Sequence, residues 1–296
     1  MTIMQNTRGD DNRPDTIFTS IARMRSEGSF GVGDFGDLAA FIEQAAGNGA
    51  AGTVCVPPTT DTVSTHTDAD ATPYSAVSVY ALHPLLVDLR QLPPIADPEM
   101  RWRMESVRQR LNAGSFDYCA TLQAKLEYMN AIFTQEGDRT MHSAAYRRFF
   151  AENERWIVPY VQYAYLRDAY SIADFRRWPN HNEWTEAERG ALQNARTKAY
   201  KKLAPIFYTQ YVLHSQLRSV HCKALANGIR LVGDMTANIN PNGCDMWQDR
   251  ADVGSDRWWT RRLNAMGAFY DACRVGCAVR DRMEKVDGMT MPLVQC

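Results

Sequence analysis

The spacing of apolar residues changes period several times along the chain. Thr16-Ile-Phe-Thr-Ser-Ile-Ala22 is short and β-branched and reads as a strand. Leu38-Ala-Ala-Phe-Ile-Glu-Gln-Ala-Ala46 then places apolar residues at helical spacing, with Asp34 or Asp37 available as its N-cap. Gly49-Ala-Ala-Gly52 turns the chain into Thr53-Val-Cys-Val56, a second apolar strand halted by Pro57-Pro58. A polar loop from Thr59 to Thr72 follows, and Tyr74 to Leu92 has mixed, partly β-like character.

From Pro98 to about Ala226 the pattern becomes helical, with few glycines, as in Arg101–Leu111, Tyr118–Phe133 and Trp156–Tyr170. The last helix, Phe207–Ala226, closes at Asn227-Gly228, and Ile229-Arg-Leu-Val-Gly-Asp234 reads as a third strand with an acid at its C-terminal end. An irregular loop to Ser255, a helix over Trp258–Tyr270 and a fourth strand at Ala272–Val275 complete the reading. Alternating strands and helices mean an α/β fold with a parallel sheet whose functional groups gather at the strands' C-terminal ends. The long insertion between the second and third strands favours a partial (β/α)8 TIM barrel, its first half, over a doubly wound sheet. The expected units are a disordered N-terminal tail (1–14), the first part of the barrel (15–96), a helical insertion (97–205), and strands three and four with a truncated C-terminus (206–296).

Composition narrows the classes. At 296 residues, 45% apolar and 23% charged, the chain can bury a core, which excludes a fibre or a disulfide-stapled miniprotein. The formal net charge of −1 supplies no field to gather polyanions, so nucleic acid is not an expected partner. No window approaches the ~18 apolar residues of a spanning helix, and the mean hydropathy is −0.41, so no membrane is expected. Seven scattered cysteines form neither a CxxC zinc site nor a disulfide framework, and with a polar start they point to a reducing cytoplasm.

Several motifs have two readings. Gly31-Val-Gly33-Asp-Phe-Gly36 fits GxGxxG, but Arg23 to Ser29 separates it from the strand, whereas a dinucleotide fingerprint sits in the turn directly after one. A βα loop capped by Asp34 is the plainer account. His214 and His221 share a helix face with no HExxH-like acid beside them, and Cys273 with Cys277 lacks further ligands, so no metal is expected. Trp247, Trp258 and Trp259 flank the third and fourth strand ends, where aromatic rings can stack on sugar faces. Asp234 is either a reacting-centre carboxylate or a structural acid ordering its loop.

Ser26-Glu-Gly-Ser-Phe-Gly-Val-Gly-Asp-Phe-Gly-Asp37, Thr72-Pro-Tyr-Ser-Ala-Val-Ser-Val-Tyr-Ala-Leu-His-Pro84 and Gly228-Ile-Arg-Leu-Val-Gly-Asp234 together resemble the 4-alpha-glucanotransferases of the amylomaltase branch. Phe149-Phe-Ala-Glu-Asn-Glu-Arg-Trp156, Tyr165-Leu-Arg-Asp168 and Trp258-Trp259 before Asp271-Ala-Cys-Arg274 support the likeness, which runs from about residue 16 to 275. The resemblance implies a barrel that cleaves an α-1,4-glucan, holds the fragment on an Asp and passes it to another sugar hydroxyl, with no cofactor. Its partners would be maltooligosaccharides or α-glucan. Asp61, Asp70, Tyr74, Ser78 and His83 match the loop on the donor-sugar side, Trp247 and Trp259 the flanking aromatics, Asp234 the acid ending the third strand, and Arg274 the arginine two residues before the nucleophile.

Departures from the family pattern limit the implied activity. The family's Arg-Ile-Asp-His appears as Arg274-Val275-Gly276-Cys277, so a glycine occupies the nucleophile's position. The chain ends at Cys296, before the strands that would supply the acid/base Glu and the second Asp. Asp281, Glu284 and Asp287 follow closely, but a nucleophile must sit within about 0.5 Å of its working geometry. The expectation is therefore weak or no transfer by this chain, with a silent glucan-binding or regulatory pseudoenzyme as the alternative. Open half-barrel edges would favour self-association.

Overall fold

The computed structural model describes residues 15–48, 52–185, 187, 190, 198–234 and 238–248. Strand β1 is Asp15–Phe18, helix α1 Phe35–Gly47, β2 Gly52–Val56 and β3 Ser75–Ala76. Helices α2 (Pro98–Ala113), α3 (Tyr118–Met141), α4 (Ala144–Tyr170) and α5 (Lys198–Ala226) follow. Then come β4 (Arg230–Gly233), β5 (Asn238–Ile239) and the short α6 (Cys244–Gln248).

β1, β2 and β4 form one parallel sheet in that order, with Asp15 opposite Gly52 and Thr53 opposite Arg230. All of α2–α5 lies between β2 and β4, which are neighbours in the sheet. The result is a mostly helical α/β fold with a small parallel sheet, ordered as the first three strands of a barrel would be. The helix expected over 258–270 and the strand expected over 272–275 lie outside the described residues.

Local chemistry explains where the elements depart from the sequence reading. β1 stops at Phe18 rather than continuing to Ala22, because Ile21–Arg23 closes into a 3-10 turn after Thr19 N–H donates to the Cys55 carbonyl at 3.0 Å. α1 starts three residues early: Asp34 accepts the Gly36 and Asp37 N–H groups, and Asp37 accepts the Asp34 N–H in return, a capping box. The partly β-like run from Tyr74 to Leu92 keeps only two strand residues. His83 and Asp88 cap 3-10 turns at Pro84–Leu86 and Leu89–Gln91, drawing the backbone into local hydrogen bonds.

Two cores meet along α5. Phe35, Leu38 and Ile42 of α1 pack with Val54, Val56 and Leu231 of the sheet against Leu213, Leu217 and Val220. On the other side, Ile157, Val161 and Tyr163 of α4 pack with Phe175, Trp178 and Trp247 against Leu203 and Phe207. α5 is thus the shared wall that fixes the helical insertion relative to the sheet. Truncating Phe35, fully buried in the first core, would cost about 3–5 kcal/mol.

Candidate functional site

At the C-terminal end of the sheet, the loops after β2 and β4 are joined. The Asp234 N–H donates to the Val56 carbonyl at 2.8 Å, and β3 pairs with β5 in a second, two-stranded parallel sheet. This brings the Tyr74 hydroxyl to Asp234, donating to Oδ2 at 3.3 Å. Tyr74 is 43% exposed and Asp234 half-buried. A phenol and a carboxylate facing solvent together offer a stacking surface, a donor and an acceptor, which is what a polyhydroxylated ligand requires.

The other residues expected on this wall face inward. Asp61 accepts the Tyr160 hydroxyl at 2.8 Å and the Val63 N–H at 3.1 Å. Asp70 takes five hydrogen bonds from Ser64, Thr65 and His66, including the three backbone N–H groups, and so orders its own loop. Ser78 accepts the Tyr80 and Ala81 N–H groups. His83 caps Leu85 through Nδ1, lies 3.1 Å from the Tyr118 hydroxyl, and is held below the usual histidine range by burial. Trp247 is only 2% exposed; its indole donates to the His181 carbonyl and its rings pack on Tyr163 and Trp178. It is a core residue here, not an accessible platform. Arg274, Gly276 and Trp259 lie outside the described residues.

The glycine motif has a structural answer. Asp34 occupies the N-terminus of α1 and is bonded by Arg90 at 2.6 Å, while Arg90 also holds Asp37 and Asp88. Gly31 sits at φ +77°, and a Cβ on Gly36 would fall 2.0 Å from Asp88 Oδ2. The glycines admit other parts of this protein, the Ile21 backbone at Gly33 and the Asp88 and Arg90 side chains at Gly36, where a nucleotide-binding loop would admit phosphate. Lys125, fully buried, donates to the Leu85 and Val87 carbonyls at 2.6 and 2.8 Å and lies 3.8 Å from Asp34. Burial raises the Asp34 carboxyl to about 6, against the attraction of Lys125.

Sequence reasoning missed the residues that hold the loop. Gln210 of α5 pairs with Leu82 through both amide groups, each at 2.9 Å, and Gln216 pairs likewise with Asp88. Their signal was a polar residue on the helix face that also carries Phe207, Leu213 and Leu217. His214 shares that interior. It lies between Phe149 and Trp156, and desolvation lowers it to about 3. Among the described residues no group of three or more His, Cys, Asp or Glu is placed to hold a metal ion, and no helix is long and apolar enough to cross a membrane.

The fold itself is that of known proteins. The amylomaltase of Streptococcus agalactiae, solved in complex with acarbose, superposes with a TM-score of 0.66 at 16% identity, over 86% of this chain and 57% of its own. The Corynebacterium glutamicum amylomaltase gives 0.63, also at 16% identity, over 78% and 32%. This establishes an amylomaltase-like α/β fold. Residues 19–257 match the family model Glyco_hydro_77, 4-alpha-glucanotransferase, and the chain belongs to that family. The rice 4-alpha-glucanotransferase DPE2 is 29% identical over 291 aligned residues, covering 88% of this chain and 31% of the rice protein. The Chlamydia pneumoniae 4-alpha-glucanotransferase is 24% identical over 243, covering 81% and 44%. The chain thus spans less than half the length of these curated relatives.

Proposed function

We propose that this chain forms the glucan-holding part of a 4-alpha-glucanotransferase, binding an α-1,4-linked glucose chain at the C-terminal end of its parallel sheet. The observation that carries the reading is the solvent-facing Tyr74–Asp234 pair, placed at the sheet end by the β3–β5 pairing within a chain of this family. Tyr74 offers its ring face and hydroxyl to the sugar, and Asp234 accepts from sugar hydroxyls. Asp61, Asp70, Ser78 and His83 serve the site indirectly, by fixing the loop that carries Tyr74.

The family reaction is read as transfer of α-glucan segments with retention, through a glycosyl ester on an Asp; the two carboxyls of such sites lie about 5–5.5 Å apart. Gly276, aligned with that Asp by the Arg274-Val275-Gly276-Cys277 pattern, has no carboxyl to form the ester. We therefore assign the chain glucan binding with little or no transfer of its own. Calorimetry with maltoheptaose, paired with product analysis on maltotriose, tests both parts. The expected result is binding without disproportionation. Robust disproportionation overturns the assignment of inactivity, and absence of binding overturns the glucan reading.

Self-association is part of the same reading. β1 and β4 are the outer strands of the described sheet, and Phe18 at the end of β1 is 48% exposed. A strictly monomeric species in native mass spectrometry counts against it.

A further inference from the structure

In the loop carrying Tyr74, one backbone donor that the sheets do not satisfy, the Val79 N–H, is met by a carboxylate from far along the chain. The β3–β5 ladder ends at Ala76 and Ile239, with the Asn240 N–H adding one more bond to the Ala76 carbonyl at 2.9 Å. Beyond it, Val77 N–H donates to the Asp61 carbonyl and Asp61 N–H to the Ala81 carbonyl, while Ser78 Oγ takes the N–H groups of Tyr80 and Ala81. The chain therefore turns away from β5 at Ser78, and the buried Val79 N–H meets no backbone carbonyl. It donates to the carboxylate of Asp245, Oδ2 at 3.0 Å, and the Asp245 N–H in turn donates to the Val77 carbonyl at 3.3 Å.

Asp245 is almost fully buried on α6, at the end of the loop that begins with Asp234. Its approach is close: a Cβ on Gly243 would fall 2.7 Å from the Val77 backbone. The segment before it is anchored in the helical insertion, because the Tyr163 hydroxyl donates to the Asn242 carbonyl at 2.6 Å and Arg176 donates to Asn242 Oδ1 at 2.9 Å. One carboxylate thus connects the strand that follows Tyr74 to the loop that follows Asp234, and Asn242 ties that loop to α4.

We propose that Asp245 is the positioning residue that holds Tyr74 opposite Asp234, so that the two present one wall to a glucan chain. Its contact with the sugar is indirect. The carboxylate replaces the missing ladder carbonyl at Val79, where a charged acceptor makes a stronger bond than a neutral one, and the rigid first shell that results is what sugar recognition needs. The glucan part of the proposal rests on the reading given under Proposed function.

The test compares Asp245→Ala and Asp245→Asn in the full chain, with and without Tyr74→Ala. Amide exchange by NMR is expected to show Val79 protected in the wild type and in Asp245→Asn, whose amide oxygen still accepts. In Asp245→Ala, Val79 is expected to exchange at least about tenfold faster while α1 amides keep their protection. Maltoheptaose affinity by calorimetry should fall about tenfold in Asp245→Ala, recover in Asp245→Asn, and fall no further in the Tyr74→Ala background. An unprotected Val79 in the wild type, or exchange unchanged by Asp245→Ala, overturns the proposal, as does an equal loss of affinity with and without Tyr74. Should the wild type show the protection pattern yet bind no maltoheptaose, the glucan reading fails and the positioning of Tyr74 stands.

Discussion

Two regions of the molecule use aspartates in opposite ways. At the N-terminus of α1, Asp34, Asp37 and Asp88 are buried and share Arg90, with Lys125 behind them. At the end of the sheet, Asp234 is half-buried and meets Tyr74 at the solvent boundary. Asp34, Asp37 and Asp234 all belong to motifs that carry the family likeness, so likeness alone does not separate a structural acid from one placed to meet a ligand. Burial does: the first set is enclosed by the protein, whereas Asp234 is half-buried beside an exposed Tyr74, where a ligand can reach the pair.

The largest effect should come from breaking the buried region. Lys125→Met leaves Asp34 without its nearby ammonium and the Leu85 and Val87 carbonyls without their donor. A loss of about 3–5 kcal/mol in urea unfolding is expected, as for other buried pairs deprived of one partner. A loss below about 1 kcal/mol would mean that the cluster relaxes or hydrates freely. Gln210→Leu should cost about 2–4 kcal/mol, because both the N–H and the carbonyl of Leu82 lose a buried partner. It should also loosen the loop that carries Tyr74, read as faster proteolysis between residues 59 and 83.

Acid–base behaviour sharpens the contrast further. Asp34 has a folded-state pKa of about 6 against 3.8 for an ordinary Asp, with burial as the main cause. Its contribution to stability is therefore complete below pH 3.8 and is lost as pH rises through 6. His214 acts in the opposite sense: burial lowers it from 6.5 to about 3, so stability falls as pH drops from 6.5 towards 3. Asp34→Asn keeps an N-cap acceptor and removes the first effect alone. The variant's urea midpoint relative to the wild type should rise from pH 4 to pH 7. A pH-independent difference would show that Asp34 titrates normally.

Much of the frame was legible because it depends on local periodicity and capping. The β-α-β start, the Asp34 cap and the third strand at 230–233 follow from residues close together in the chain. The loop around Tyr74 was less legible. Asp61, Asp70, Ser78 and His83 were identified by motif, but the inward orientation of Asp61 and His83 depends on Tyr160 and Tyr118, on helices far along the sequence, while Asp70 and Ser78 are turned in by backbone N–H groups of their own loop. Trp247 illustrates the same limit. Proximity to a strand end places an aromatic near the site, but only packing with Tyr163 and Trp178 decides which way its ring points. Asp245 carried no signal at all, since the N–H it satisfies, at Val79, is 166 residues away.

The smallest effect on folding should fall where the proposed function is most exposed. Tyr74→Phe removes one hydroxyl, whose 3.3 Å bond to Asp234 is at the solvent boundary. Water replaces such a bond with little cost, so a change in unfolding free energy within about 0.5 kcal/mol is expected. Affinity for maltoheptaose should nevertheless fall several-fold, because the hydroxyl donates at the position a sugar oxygen would use and keeps the Asp234 carboxylate turned to the ring. A large loss of stability with unaltered affinity would reverse the assignment. The pair would then be a structural lock like the Arg90 cluster, and the sugar-facing acids would have to be sought on another loop of the sheet end.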